Sequence, residues 1–245
     1  MPAIWSGMSS NGHSESLILD PDLPVPIDIR PMRNARRLRL RYDEVSGRLK
    51  LTCPARTSRR SALAWALEQR KWIEAQLARA QPAEPFVPGA WVPIDGVETL
   101  LMWSAEWPRS PSLLGEELRC GGPLDGMARR VELFLKRRAL EVMSREVSEF
   151  ARAAGVSVRS VAVGDAGSRW GSCSSQGRIR LSWRLILAPP QARRYVVAHE
   201  VAHLRHLDHS AEFKAFEARL FGPGVAEAKA ILRRVGPRLR GIGRR

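Results

Sequence analysis

Four of the five histidines in this sequence, His199, His203, His206 and His209, fall within eleven residues, and the segment His199-Glu200-Val201-Ala202-His203 reads HExxH. On a helix, residues four apart share a face, so His199 and His203 can offer imidazole nitrogens to a single metal ion. Glu200 flanks that face, too far round to ligate easily but well placed to hold a water beside the metal. The arrangement suits hydrolysis. Zinc lowers the pKa of its water to about 7, and a neighbouring carboxylate takes the proton during attack and returns it to the leaving group.

Catalytic zinc usually takes three protein ligands, so a third must come from elsewhere. His206 would lie one turn past His203 if the helix continued, but three ligands from one straight helix converge poorly on a tetrahedral ion. His209 requires the helix to stop and the chain to turn back. Asp208 tolerates a turn and Ser210 is a good N-cap for a following helix, so the geometry favours His209. Val197, Val201 and Leu204 form the opposite, buried stripe. A structural zinc would be closed by four ligands, usually with cysteine, and would leave Glu200 unexplained.

Upstream, apolar residues alternate with arginine and lysine from Arg37 to Cys53 around Ser46-Gly47, which predicts a half-buried hairpin with a basic outer face. Ser58 to Ala80 places Ala62, Trp65, Ala66, Trp72, Ile73 and Leu77 on one stripe, as for a single helix closed by Pro82. The proline-rich stretch from Pro82 to Pro123 reads as short strands. Val131, Leu135, Ala139, Met143, Val147, Phe150 and Ala154 then follow steps of four and three, with Gly155 just past the expected helix end. Strands are expected from Val156 to Val163 and on both sides of Ser175-Gln176-Gly177. Helices are expected over Gln191–Leu207, Ala211–Phe221 and Val225–Val235. No internal repeat is legible.

The block RWGSCSSQGRIRLSWRLILAPP followed by YVVAHEVAHLRHLDHS, between Arg169 and Ser210, closely resembles the YgjP-like metal-dependent hydrolases, zincin-type metallopeptidases akin to the SprT and WLM proteases. The resemblance implies an α+β fold in which the HExxH helix lies beside a small antiparallel sheet. It also implies one zinc ion per chain held by His199, His203 and His209, with Glu200 as general base. His206 stands where metzincins have glycine, and no methionine follows to form their Met-turn. In zincins a strand beside the catalytic helix pairs with extended substrate, which makes Arg169 and Trp170 candidate substrate contacts. Tyr195, one turn before His199, is a third. Cys173, in the same block, reads as a small buried hydrophobe.

At 245 residues and 44% hydrophobic content, the chain can bury one substantial core or two small ones. Four regions are expected: a flexible arm over 1–22, a β-rich region with one helix over 23–124, the catalytic domain over 125–238, and a basic tail over 239–245. No run approaches the roughly 18 apolar residues of a membrane span, and the start lacks a basic and apolar leader pattern. Cys53, Cys120 and Cys173 form no CxxC pair. These features predict a soluble, cytoplasmic protein.

The net charge of +15 comes from 40 basic and 25 acidic side chains, with arginine groups at 33–41, 129–138 and 233–245. They suit nucleic-acid phosphates or another acidic ligand, although no base-reading motif accompanies them. Three functions fit the sequence. The first is a zinc-dependent peptidase acting on peptides or proteins. The others are a metal-dependent nucleotide phosphoanhydride hydrolase with arginines on the phosphates, and a DNA-binding module with a structural metal.

Overall fold

The computed structural model describes residues 16–43, 46–79, 82–165 and 169–244. Most of the expected amino-terminal arm, including His13, lies outside the described residues. The chain divides into two compact units, one of Met1–Asp43 with Gly47–Arg79, the other of Ala80–Arg245 with Glu44–Ser46. The division falls near residue 80 rather than at the expected 124/125, because the strands after Trp91 share a core with the long helix that follows them.

In the first unit, β1 (Ser16–Ile18), β2 (Ile27–Met32), β3 (Arg39–Asp43) and β4 (Arg48–Pro54) form a sheet of order β1-β2-β4-β3. Order therefore begins before Leu23, inside the span expected to be an arm. The β3–β4 hairpin is present, and its alternation puts Leu49, Leu51 and Cys53 in the core with Ile27 and Ile29 of β2. Over them pack α1 (Arg59–Glu68), capped by the Ser58 side chain, and α2 (Arg70–Arg79). The single helix expected here is broken at Gln69, a residue that carries no local breaker signal. Ala62, Ala66 and Ile73 are buried as the stripe predicted, whereas Trp72 is exposed.

In the second unit, β5 (Trp91–Ile94), β6 (Val97–Ser104), β7 (Ser112–Leu114) and β8 (Glu117–Gly121) form a sheet of order β5-β6-β8-β7. Asp95 and Gly96, both at positive φ, make the tight β5–β6 turn that two left-handed residues allow. Each four-stranded sheet runs antiparallel, parallel, antiparallel across its strands. The chain thus repeats a topology that its side-chain pattern does not reveal.

The second sheet packs on α3 (Met127–Ala154), whose predicted stripe is buried from Val131 to Ala154. Gly155 ends it in the left-handed conformation, which costs glycine no Cβ clash. Each large apolar side chain fully buried along that face contributes about 1.5–3 kcal/mol. Beyond it, β9 (Ser160–Gly164), β10 (Gly171–Cys173) and β11 (Arg178–Ser182) form a sheet of order β10-β11-β9. Its β10–β11 pair is antiparallel and its β11–β9 pair parallel, so it is mixed rather than purely antiparallel.

A 3-10 segment, Trp183–Leu187, leads to α4 (Pro190–Ala202), and α5 (Ala211–Phe221) and α6 (Val225–Gly241) complete the unit. Nine of the thirteen α4 residues are buried. The expected basic tail begins as the last turn of α6, which runs to Gly241, and Leu239 and Ile242 lie in the core. Buried Arg184 donates to the carbonyls of Leu239 and Ile242, satisfying acceptors that a helix end leaves open. Among the described residues no helix is long and apolar enough to cross a membrane.

Candidate metal centre

Pro190 at the first position starts α4 with no donor to lose, as suits a proline there. The helix stops at Ala202, five residues short of the expected end, and His203 caps it. The chain then turns, Asp208 accepts from the Ser210 amide at 3.1 Å, and Ser210 caps α5 through the Phe213 amide at 3.3 Å. This stop and turn bring His209 back over the helix face that carries His199 and His203.

The three rings converge through one nitrogen each. His199 Nε2 lies 3.2 Å from His203 Nε2 and 3.3 Å from His209 Nε2, and the three potential ligand atoms all fall within 4.8 Å of one another. A tetrahedral ion with bonds of about 2.0–2.1 Å would separate its ligand nitrogens by about 3.3 Å, so the donor set fits a divalent ion. Phe213 of α5 floors the cluster, its ring centroid 5.1, 4.5 and 4.9 Å from those of His199, His203 and His209. His206 stands apart. Its ring packs edge-on against Phe216, and it contributes its carbonyl, which accepts from His203 Nδ1 at 3.1 Å.

The nitrogens facing away from the cluster are held as well. His199 Nδ1 lies 2.6 Å from Oε1 of Glu217 on α5, a carboxylate only 3% exposed that also accepts from Tyr195 at 2.9 Å and from Lys229 at 3.3 Å. Burial would raise the Glu217 carboxyl, but hydrogen bonds from His199 and Tyr195 outweigh it and pull it down to about 2. An ionised carboxylate on Nδ1 keeps the proton there and leaves Nε2 free for a metal. Burial also holds the His203 pKa below the usual histidine range, favouring the neutral, ligating form.

Sequence reasoning missed Glu217. Its signal is a carboxylate on the apolar stripe Phe213, Phe216, Leu220 of an amphipathic helix, where burial demands a partner.

Glu200 is 5% exposed, and burial pushes its carboxyl up to about 7 against the opposing pull of His199 and Arg169. It packs on the backbone of β10, where a side chain at Gly171 would collide with the Glu200 carboxylate and force it to move. Nearby Cys173 does not join the histidine cluster, and its thiol is raised to about 11 by burial and by Glu200.

The expected substrate contacts divide. Arg169 and Trp170 line a pocket of about 190 Å³ with Gly171, Ser172 and Arg180, beside β10. Trp170 also packs on Gly236 and under the Arg240 guanidinium. Tyr195 is buried with its hydroxyl on Glu217, so it braces the histidine shell instead of facing a groove.

The profile of the YgjP-like metallopeptidase domain matches residues 36–235. The chain belongs to the YgjP-like family. It is thus a metal-dependent peptidase in class, with an α+β fold. No curated protein matches the chain. Two solved structures overlap part of it: the metallopeptidase zymogens of Pyrococcus abyssi abylysin and Methanocaldococcus jannaschii jannalysin. The first is 20% identical with a TM-score of 0.35, covering 40% of this chain and 95% of its own. The second is 16% identical with a TM-score of 0.34, covering 40% and 96%.

Proposed function

We propose that this YgjP-like metallopeptidase is a zinc enzyme that hydrolyses peptide bonds in peptides or proteins, with His199, His203 and His209 as ligands and Glu200 as general base. The observation that carries the reading is the convergence of three Nε2 atoms, each on a held or packed ring, with the buried Glu200 carboxylate within electrostatic reach of His199. Held by His199, His203 and His209, a zinc ion would supply Lewis-acid chemistry toward water and the scissile carbonyl. Glu200 takes the proton from the attacking water and passes it to the departing amine. Its raised pKa suits both halves of that transfer near neutral pH.

Among the described strands, β10 pairs with β11 alone. A substrate adding to its open edge would run past Glu200, because Gly171 and Glu200 touch. Arg169 and Trp170 then flank the bound chain. The three cysteines are free thiols, which suits the reducing cytoplasm where we place the protein.

The test is metal analysis of purified protein together with cleavage of a peptide library, comparing wild type with Glu200→Gln. The variant should retain one zinc per chain and lose about 10²- to 10⁴-fold in turnover. Equal turnover by the two proteins removes Glu200 from the mechanism, and loss of zinc in the variant makes its role structural.

A further inference from the structure

The two four-stranded sheets share strand order and orientation, which makes their outward faces comparable position by position. On the second sheet, one outward row runs Trp91, Leu100, Glu117, Leu114, and the next places Met102 beside Arg119 and Ser112. These are mostly apolar, and Arg119 is paired with Glu117 at 2.8 Å. On the first sheet the registers place Arg30, Thr52 and Arg39 in one row and Asp28, Lys50 and Arg41 in the next. With Arg48, that face carries five cations against Asp28 and Asp43.

Lys50 is neutralised by Asp43 at 2.6 Å. Arg39 and Arg41 are exposed and enter no ion pair among the described residues. They border a depression of about 330 Å³ that is also lined by Arg30, Lys50, Thr52 and one carboxylate, Asp28; the Thr52 hydroxyl is a further donor between the arginine-bearing strands.

We propose that this outward face of the first sheet binds the phosphate backbone of double-helical nucleic acid, with Arg39, Arg41 and Thr52 as its centre. Alternate residues of a strand are about 7 Å apart, comparable to the gap between successive phosphates, so Arg39 and Arg41 can each take one. Guanidinium forks grip phosphate oxygens in pairs. No aromatic side chain stands outward on these strands to stack an unpaired base, which disfavours single strands. Leu17 on β1, in register with Asp28, and Met32 on β2 are the large apolar side chains exposed on this face among the described residues, too few for a membrane wedge and not the aromatic anchors of a protein interface. Nothing in these two rows reads base edges, so the binding is indifferent to sequence.

The test uses full-length protein and a labelled DNA duplex, with affinity measured across a salt series. Wild type should bind with a steep negative slope of log affinity against log salt. Arg39→Gln/Arg41→Gln should weaken binding at low salt and make that slope shallower by about two, one for each phosphate that is no longer neutralised. Arg39→Lys/Arg41→Lys should keep the slope, and Arg119→Gln on the second sheet should change nothing.

An unaltered thermal midpoint and unaltered peptide cleavage in the Gln double variant establish that it is folded. The proposal is overturned if that variant keeps the wild-type slope. It is equally overturned if unlabelled single strands, phosphatidylserine vesicles or polyglutamate compete better than unlabelled duplex. Either failure leaves the metal-centre reading untouched.

Discussion

Two buried arginines of the second unit and two exposed ones of the first are held in opposite ways. In the second unit, Arg184 and Arg193 are drawn into the fold. Arg193 on α4, 5% exposed, bonds Glu146 at 3.0 Å and also Asp95, which pairs in turn with Arg138 at 2.8 Å. Arg184, 4% exposed, holds Asp165 at 2.9 Å along with the carbonyls of Leu239 in the last helix and Ile242 just past its end. In the first, Arg39 and Arg41 stand on an open pleated face. A composition rich in arginine therefore says little about what any one arginine does. Burial decides: a buried guanidinium must find carboxylates or carbonyls, whereas an exposed one remains available to an outside anion.

The contrast breaks most readily at Arg193. Arg193→Ala should cost about 3–5 kcal/mol in urea unfolding, because it strands buried Glu146 without its cation and leaves Asp95 with Arg138 alone. Burial already raises the Glu146 carboxyl against the pull of Arg193. A loss below about 1 kcal/mol would mean the buried network is dispensable and the two units are alike.

Next in size is Glu217→Ala, which frees His199 Nδ1 and should weaken zinc binding about 10- to 100-fold in competition with a chelator. Unchanged affinity would show that the buried carboxylate serves packing alone. Gly171→Ala should lower peptide cleavage by displacing Glu200 while zinc binding holds; full activity would mean that β10 yields without cost. The smallest effect is expected at the open face, where Arg39→Ala or Arg41→Ala should shift stability by no more than about 0.5 kcal/mol. A larger loss would make these arginines part of the fold, like Arg193.

Much of the architecture was readable because it repeats at short range. The stripe of α3, its glycine stop, the β3–β4 alternation and the Ser175-Gln176-Gly177 turn are local patterns, and the structure keeps each of them. The break at Gln69, the early end of α4 and the extension of α6 through Pro237 were not readable. Each depends on what the segment packs against: Arg184, for example, secures the end of α6 from 55 residues away. The shared topology of the two four-stranded sheets was hidden for a related reason, since alternation reveals which face is buried but not which strand lies alongside.

By itself the sequence determined that His199 and His203 share a helix face with Glu200 beside them, because the helical period fixes this from neighbouring residues alone. Only the tertiary structure decided that His209 returns to them instead of His206, that Glu217 grips the far side of His199, and that Gly171 presses on Glu200. Those contacts join separate elements, and their distances are set by how helices and strands pack rather than by spacing along the chain.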